Sequence, residues 1–389
     1  MRSQVFKLLL TCAVALLGST QILAQRAPEQ DYLVYVVSES ADKISLVRFG
    51  PQGAKVERTF GTGLMPTDVD GPHGVAVSPD KKFYYVSLGH GRPFGYLWKY
   101  TAADDKVVGQ VKLGYFPATM DVSPDGEFVY AVNFNLHGDM VPSSVSIVAA
   151  GEMLEVARVQ TCTMPHGSRF NPQGTKHYSA CMMDDMLVEI DTHTLKVSRH
   201  FLLTQGKEMG MMGAPPARGG GHAGMHMDTG GHGMEMPKPG DVSCSPTWAQ
   251  PSADGSKIFV ACNKSSEIVE VDADLWKVTR RTPARQGVYN LAVSKDGQKL
   301  VATNKRDQSV SVYDAKSGKE LARIPTKRKV LHGVAVSPDS RYAFVTVEGV
   351  GSEPGTVEVI DLEALKTVAT VDVDPQAAGI DFLRTEKKQ

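Results

Sequence analysis

The stretch Pro72-His73-Gly74-Val75-Ala76-Val77-Ser78-Pro79-Asp80 decides the fold, because it returns almost unchanged as Leu331-His332-Gly333-Val334-Ala335-Val336-Ser337-Pro338-Asp339. Pro165-His166-Gly167-Ser168-Arg169-Phe170-Asn171-Pro172 is a looser copy, and Pro117-Ala118-Thr119-Met120-Asp121-Val122-Ser123-Pro124-Asp125-Gly126 is a fourth. Thr247 to Gly255 and Tyr289 to Gly297 are degenerate copies. The position held by His73 thus recurs at 118, 166, 247, 289 and 332, in steps of 45, 48, 81, 42 and 43 residues. The step of 81 is about one period plus an insertion. Self-similarity at this period is the signature of propeller blades.

Each period has one plan. A short apolar strand leads into a Ser-Pro-Asp-Gly type turn. A β-rich strand follows, such as Phe83-Tyr84-Tyr85-Val86, then an alternating strand such as Val310-Ser311-Val312-Tyr313, then a last strand such as Val368-Ala369-Thr370-Val371. Four short strands joined by turn residues make one blade. Blade counting predicts an all-β, seven-bladed propeller with four antiparallel strands per blade. Residues 31–71 supply only three strands, and Ala378 to Leu383 supplies the missing one. The C-terminal strand is therefore expected to join the N-terminal blade and close the ring, removing its exposed edges.

In these Ser-Pro-Asp turns and in strands such as Leu300-Val301-Ala302-Thr303-Asn304 and Phe344-Val345-Thr346-Val347-Glu348, the chain resembles the YVTN-type family of seven-bladed repeat proteins over roughly residues 31–384. Relatives of that family include the propellers of nitrous-oxide reductase, of the cytochrome that binds haem d1, and of lactonase-type proteins. The resemblance implies the fold; the family hosts catalysts, cofactor holders and scaffolds alike.

Composition narrows the class. The 389 residues carry 42 Lys plus Arg against 43 Asp plus Glu, a balance unlike the basic stripe of a nucleic-acid binder. Arg2 and Lys7 precede the apolar run Leu8 to Leu17, and Ser19 to Ala24 reads as a cleavage region. Residues 1–24 are thus expected to be a signal peptide and 25–389 one exported propeller, periplasmic or secreted, with no membrane span.

Propeller topology puts the unusual residues on one face. His73, His166 and His332 start inner strands of blades 2, 4 and 7; His90 and His137 fall in loops of the same face, as do Met182 to Met186. Three histidines at one end of a channel are candidate ligands for a metal, or strand-capping turn residues satisfied by backbone. The insertion at 206–242, between blades 4 and 5, opens on that face too. It holds Met209, Met211, Met212, Met225, Met227, Met234 and Met236 with His222, His226 and His232, seven of the chain's sixteen methionines. Thioethers suit Cu(I) and imidazoles suit Cu(II), so copper is the favoured ligand; a solvated loop is the plain alternative.

Cys162, Cys181, Cys244 and Cys262 remain after the signal, at separations of 19 and 18. Export makes two disulfides the expectation, Cys162 with Cys181 and Cys244 with Cys262, each within one blade. No Cys-x-x-Cys-His occurs, so no covalent haem of the c type is expected, and neither Gly-x-Ser-x-Gly nor His-Glu-x-x-His occurs. Gly219 to Gly224 matches a dinucleotide fingerprint without the strand and helix it needs. The resulting expectation is a binding module, with copper as ligand and a protein partner open. The alternatives are a lactonase-type hydrolase using His332, Arg92 or Glu348 at the channel mouth, and a protein-interaction scaffold without a small ligand. Whether the chain catalyses anything is left open by the sequence.

Overall fold

Seven antiparallel sheets surround one axis, and in six of them the strands follow chain order from the channel outward. The computed structural model describes residues 27–63, 69–90, 94–215 and 242–387. The candidate signal peptide, Arg92, and His222, Met225, His226, Met227, His232, Met234 and Met236 lie outside the described residues. The exception to chain order is the first blade. Its inner strand is Ala377–Lys387, followed by Gln30–Ser38, Lys43–Gly50 and Gly53–Gly61. Val34 pairs with Phe382 and Val36 with Ile380, so the C-terminus closes the ring as the strand count required.

The core lies between blades. Tyr32, Val34 and Val36 of blade 1 pack with Phe344, Val357 and Val359 of blade 7, and Tyr35 of blade 1 stacks on Tyr84 of blade 2 at 4.0 Å. Middle strands are therefore apolar on both faces, while outer strands such as Val107–Lys112 alternate with solvent.

The channel rim repeats one backbone device. The residue before each inner strand is left-handed: Gly71, Phe116, Met164, Ser245, Gly287, Val330 and Gln376, with φ between 45° and 69°. The ladder to the second strand then skips, as between Pro72 and Val75 or Leu331 and Val334. Such a bulge leaves a backbone N–H without its ladder partner. Ser87 Oγ accepts from Gly74 N at 2.9 Å and donates to the carbonyl of Ala118, in the next blade, at 2.6 Å. Thr303 and Thr346 do the same for Asn290 and Gly333, donating to His332 and Ala378. Where the second strand has Val132, Ala180 or Ala261 at the position of Ser87, the inner strand supplies the bond: Thr119 to the His166 carbonyl, His166 to Thr247, and Thr247 to Tyr289. This belt ties blade to blade around the rim. It also explains the glycine of each His-Gly pair. A Cβ on Gly74 would lie 2.3 Å from the Ala118 carbonyl, and one on Gly167 2.5 Å from the Thr247 carbonyl.

Both disulfides form with the expected partners. The expectation that each stays within one blade fails for the first. Cys162 lies one residue from the end of the long outer strand Leu154–Thr163 of blade 3 and reaches Cys181 on the second strand of blade 4, Cα to Cα 5.9 Å. The outer strand runs past its blade and delivers Cys162 to the junction. Cys244 and Cys262 both belong to blade 5, Cys244 in the loop leading into it.

The insertion starts as structure rather than loop. Met209–Met212 adds a fifth strand to the outer edge of blade 4, pairing Leu202 with Met209 and Arg199 with Met212. An unpaired edge is a ready template for such an addition.

Candidate functional site

One ring position from each blade faces the channel mouth. In blades 1 to 7 it holds Ala378, His73, Ala118, His166, Thr247, Tyr289 and His332. Ala378, Ala118 and Thr247 are small, so the four large rings lean across the axis. Ring centroids are 5.0 Å apart for His73 and His332, 6.1 Å for His73 and His166, 5.2 Å for His166 and Tyr289, and 5.1 Å for Tyr289 and His332. Blades 2, 4 and 7 are not adjacent, yet their histidines meet. All four rings are buried. Phe116 flanks His73 and Phe134 flanks His166, in one apolar cluster with Met164, against which Met182 and Met183 pack.

Hydrogen bonds fix the imidazoles. His73 Nδ1 donates to Glu39 Oε2 at 2.7 Å, since a carboxylate only accepts. Its Nε2 is buried without a hydrogen-bond partner among the described residues. His166 Nδ1 donates to the Thr247 carbonyl at 3.0 Å, and its Nε2 accepts from the Tyr289 hydroxyl at 2.9 Å. His332 Nε2 lies 3.5 Å from the same oxygen. Glu39, on the short 3-10 turn Glu39–Ala41, also takes His90 Nε2 at 2.9 Å.

Burial sets the charge states. It pushes His166 down to about 3, helped by the positive charges of His73 and Lys305, and it holds His332 well below the usual imidazole range for the same reasons. Burial would raise Glu39, but His73 and His90 outweigh it and hold the carboxyl well below the usual range. The hydrogen bond to Glu39 raises His90. Burial raises the Tyr289 phenol, while Lys305, whose ammonium sits 4.1 Å over its ring, opposes that rise. Lys305 is itself paired with Glu348 at 2.9 Å. His166 and His332 are thus neutral at neutral pH, the form that ligates metals. The Glu39–His73 pair is the outer partner that metal-ligating histidines commonly have.

Among the described residues, no three His, Cys, Asp or Glu side chains already stand in metal-holding geometry. The Tyr289 hydroxyl stands between His166 and His332. The other expected ligands lie elsewhere. Met209 and Met212 are exposed on the far edge of blade 4, and Met211 packs against the Cys162, Cys181 and Leu202 cluster. Met186 is buried, and the Asp185 carboxylate accepts backbone N–H groups of Ser243, Cys244 and Ser245, anchoring the chain where it returns to blade 5. Below the ring the channel is nearly closed. Arg169 covers Trp248 at 4.5 Å, and the remaining cavity of about 30 Å³ has room for a water or two. Sequence reading missed Glu39, Lys305 and Tyr289. Only Tyr289 left a signal, since it occupies the His73 position of its repeat.

No family model and no curated protein matches the chain. Solved structures do. A periplasmic gluconolactonase of Pseudomonas aeruginosa is 17% identical, with a TM-score of 0.67 over 91% of this chain and 99% of that one. Hydrazine synthase of Kuenenia stuttgartiensis is 20% identical, with a TM-score of 0.60 over 82% of this chain and 92% of that one. The dihydro-haem d1 dehydrogenase NirN is 16% identical, with a TM-score of 0.56 over 90% and 75%. At these identities the likeness shows the fold: the chain is a seven-bladed β-propeller.

Proposed function

We propose that the protein is an exported metal-binding module that holds a copper ion at the channel mouth through His73, His166 and His332. The observation that carries this reading is the inward-facing, partnerless Nε2 of His73, anchored by Glu39 and set beside two buried neutral imidazoles. Imidazole nitrogen suits copper, zinc, nickel and iron. The Met/His run from Met209 to Met236 favours copper among them and would serve as a second, softer binding element. Export is supported by the apolar N-terminal run and by two disulfides, which persist in oxidising compartments. A lactone substrate fits this site poorly, because the cavity below the ring is water-sized and Glu348 is committed to Lys305.

Copper content after loading and dialysis tests the reading. Wild type should retain copper. A His73→Ala/His332→Ala variant should lose the ring-bound ion, and a variant lacking 216–241 should keep it while losing further copper. Equal copper in wild type and the double histidine variant would overturn the proposal.

A further inference from the structure

The geometry points to Tyr289 as a fourth ligand of the ring site, making it a three-imidazole, one-phenolate centre selective for Cu(II). This rests on the copper reading above. The hydroxyl is 2.9 Å from His166 Nε2 and 3.5 Å from His332 Nε2, so an ion bound by both histidines must either expel it or accept it. Expulsion has nowhere to go. Tyr289 is buried, its carbonyl is held by Thr247 Oγ1 at 2.7 Å, its ring is capped by Lys305, and the space beneath is about 30 Å³. Coordination replaces the hydroxyl's contacts with the two histidines by one bond to the ion. The phenolic proton leaves to solvent, and no electron is transferred. The ammonium of Lys305 over the ring favours the resulting phenolate, and Glu348 balances that ammonium. A phenolate is a harder donor than a thioether, which favours Cu(II) over Cu(I).

The test is a Cu(II) titration of the full mature chain, followed by visible absorption. A tyrosinate bound to Cu(II) gives a ligand-to-metal charge-transfer band that imidazole ligands alone do not. Wild type should develop the band and saturate with the ring-bound copper. Tyr289→Phe keeps the ring's bulk; it should lose the band and bind that copper about tenfold or more weakly, while Tyr115→Phe keeps both. Resonance Raman of wild type, excited in the band, should enhance phenolate modes, which leaves the inference falsifiable if Tyr289→Phe fails to fold. Copper binding without the band, or a band that survives Tyr289→Phe, overturns Tyr289 as ligand and leaves the three-histidine reading intact. Absence of histidine-dependent copper in wild type overturns both.

Discussion

His177 shows what burial does to an imidazole that has no site to serve. It lies on the second strand of blade 4, fully buried, with its ring 4.8 Å from Tyr130 and 5.0 Å from Phe170. Neither nitrogen has a hydrogen-bond partner among the described residues, and burial pushes its pKa down to about 3. The folded value lies below the unfolded value of about 6.5, so the unfolded chain binds the extra proton. Its titration contributes nothing above that pH and increasingly destabilises the fold below it, by about 3 kcal/mol at pH 4. His166 and His332 act in the same direction. His177→Phe, aromatic and without orphaned nitrogens, should move the midpoint of acid unfolding to lower pH. It should also gain about 1–3 kcal/mol at neutral pH from removing unsatisfied polar groups. An unchanged acid midpoint in a pH titration of circular dichroism would refute the argument.

At the scale of the element, the inner strands are tied to their neighbours by hydroxyls as well as by apolar contact. Thr346 sits on the second strand of blade 7, fully buried. It accepts from Gly333 N at 2.8 Å and donates to the Ala378 carbonyl at 2.6 Å, joining blade 7 to the closing strand. Thr346→Val keeps the shape and removes both bonds. It should cost about 1–3 kcal/mol in denaturant unfolding, because an N–H and a carbonyl stay buried and unpaired. Thr346→Ser should recover most of the loss. Equal midpoints for the Val and Thr proteins would mean that the belt is incidental. The hydroxyl was legible as a residue in the strand Phe344-Val345-Thr346-Val347. Its role was not, because its partner Ala378 lies in another blade and the need arises from a bulge that periodicity does not report.

For the whole molecule, closure is the controlling feature. Truncation after Pro375 removes the strand Ala377–Lys387 and uncovers Gln30–Ser38. It takes away the buried side chains of Ile380, Phe382 and Leu383, about 5–8 kcal/mol of apolar burial. That is comparable to the entire stability of a typical domain. The truncated protein should lose cooperative melting and expose apolar surface to a reporter dye. A truncated chain that melts like wild type would show that the ring does not need its last strand. The disulfide between Cys162 and Cys181 works at the same scale, since it bridges blades 3 and 4 rather than stapling one.

Repeat period, turn chemistry and strand alternation sufficed to set the blade count, the face that carries the histidines, the closing strand and the cysteine partners. Each of these is a local pattern or a count, and propeller geometry converts counts into places. The candidate site was legible only in part. His73, His166 and His332 were visible because they recur, and Tyr289 was visible as a position without an assigned role. Glu39 and Lys305 lie outside the repeat motif, and nothing local distinguishes them from solvated loop charges. Their partners are fixed by how the loops of blades 1 and 6 fold over the rim. The meeting of three histidines from non-adjacent blades depends on small residues at Ala118, Thr247 and Ala378, and on how far each inner strand leans towards the axis. That lean is set by bulges and blade-to-blade hydrogen bonds, which exist only once all seven blades are assembled.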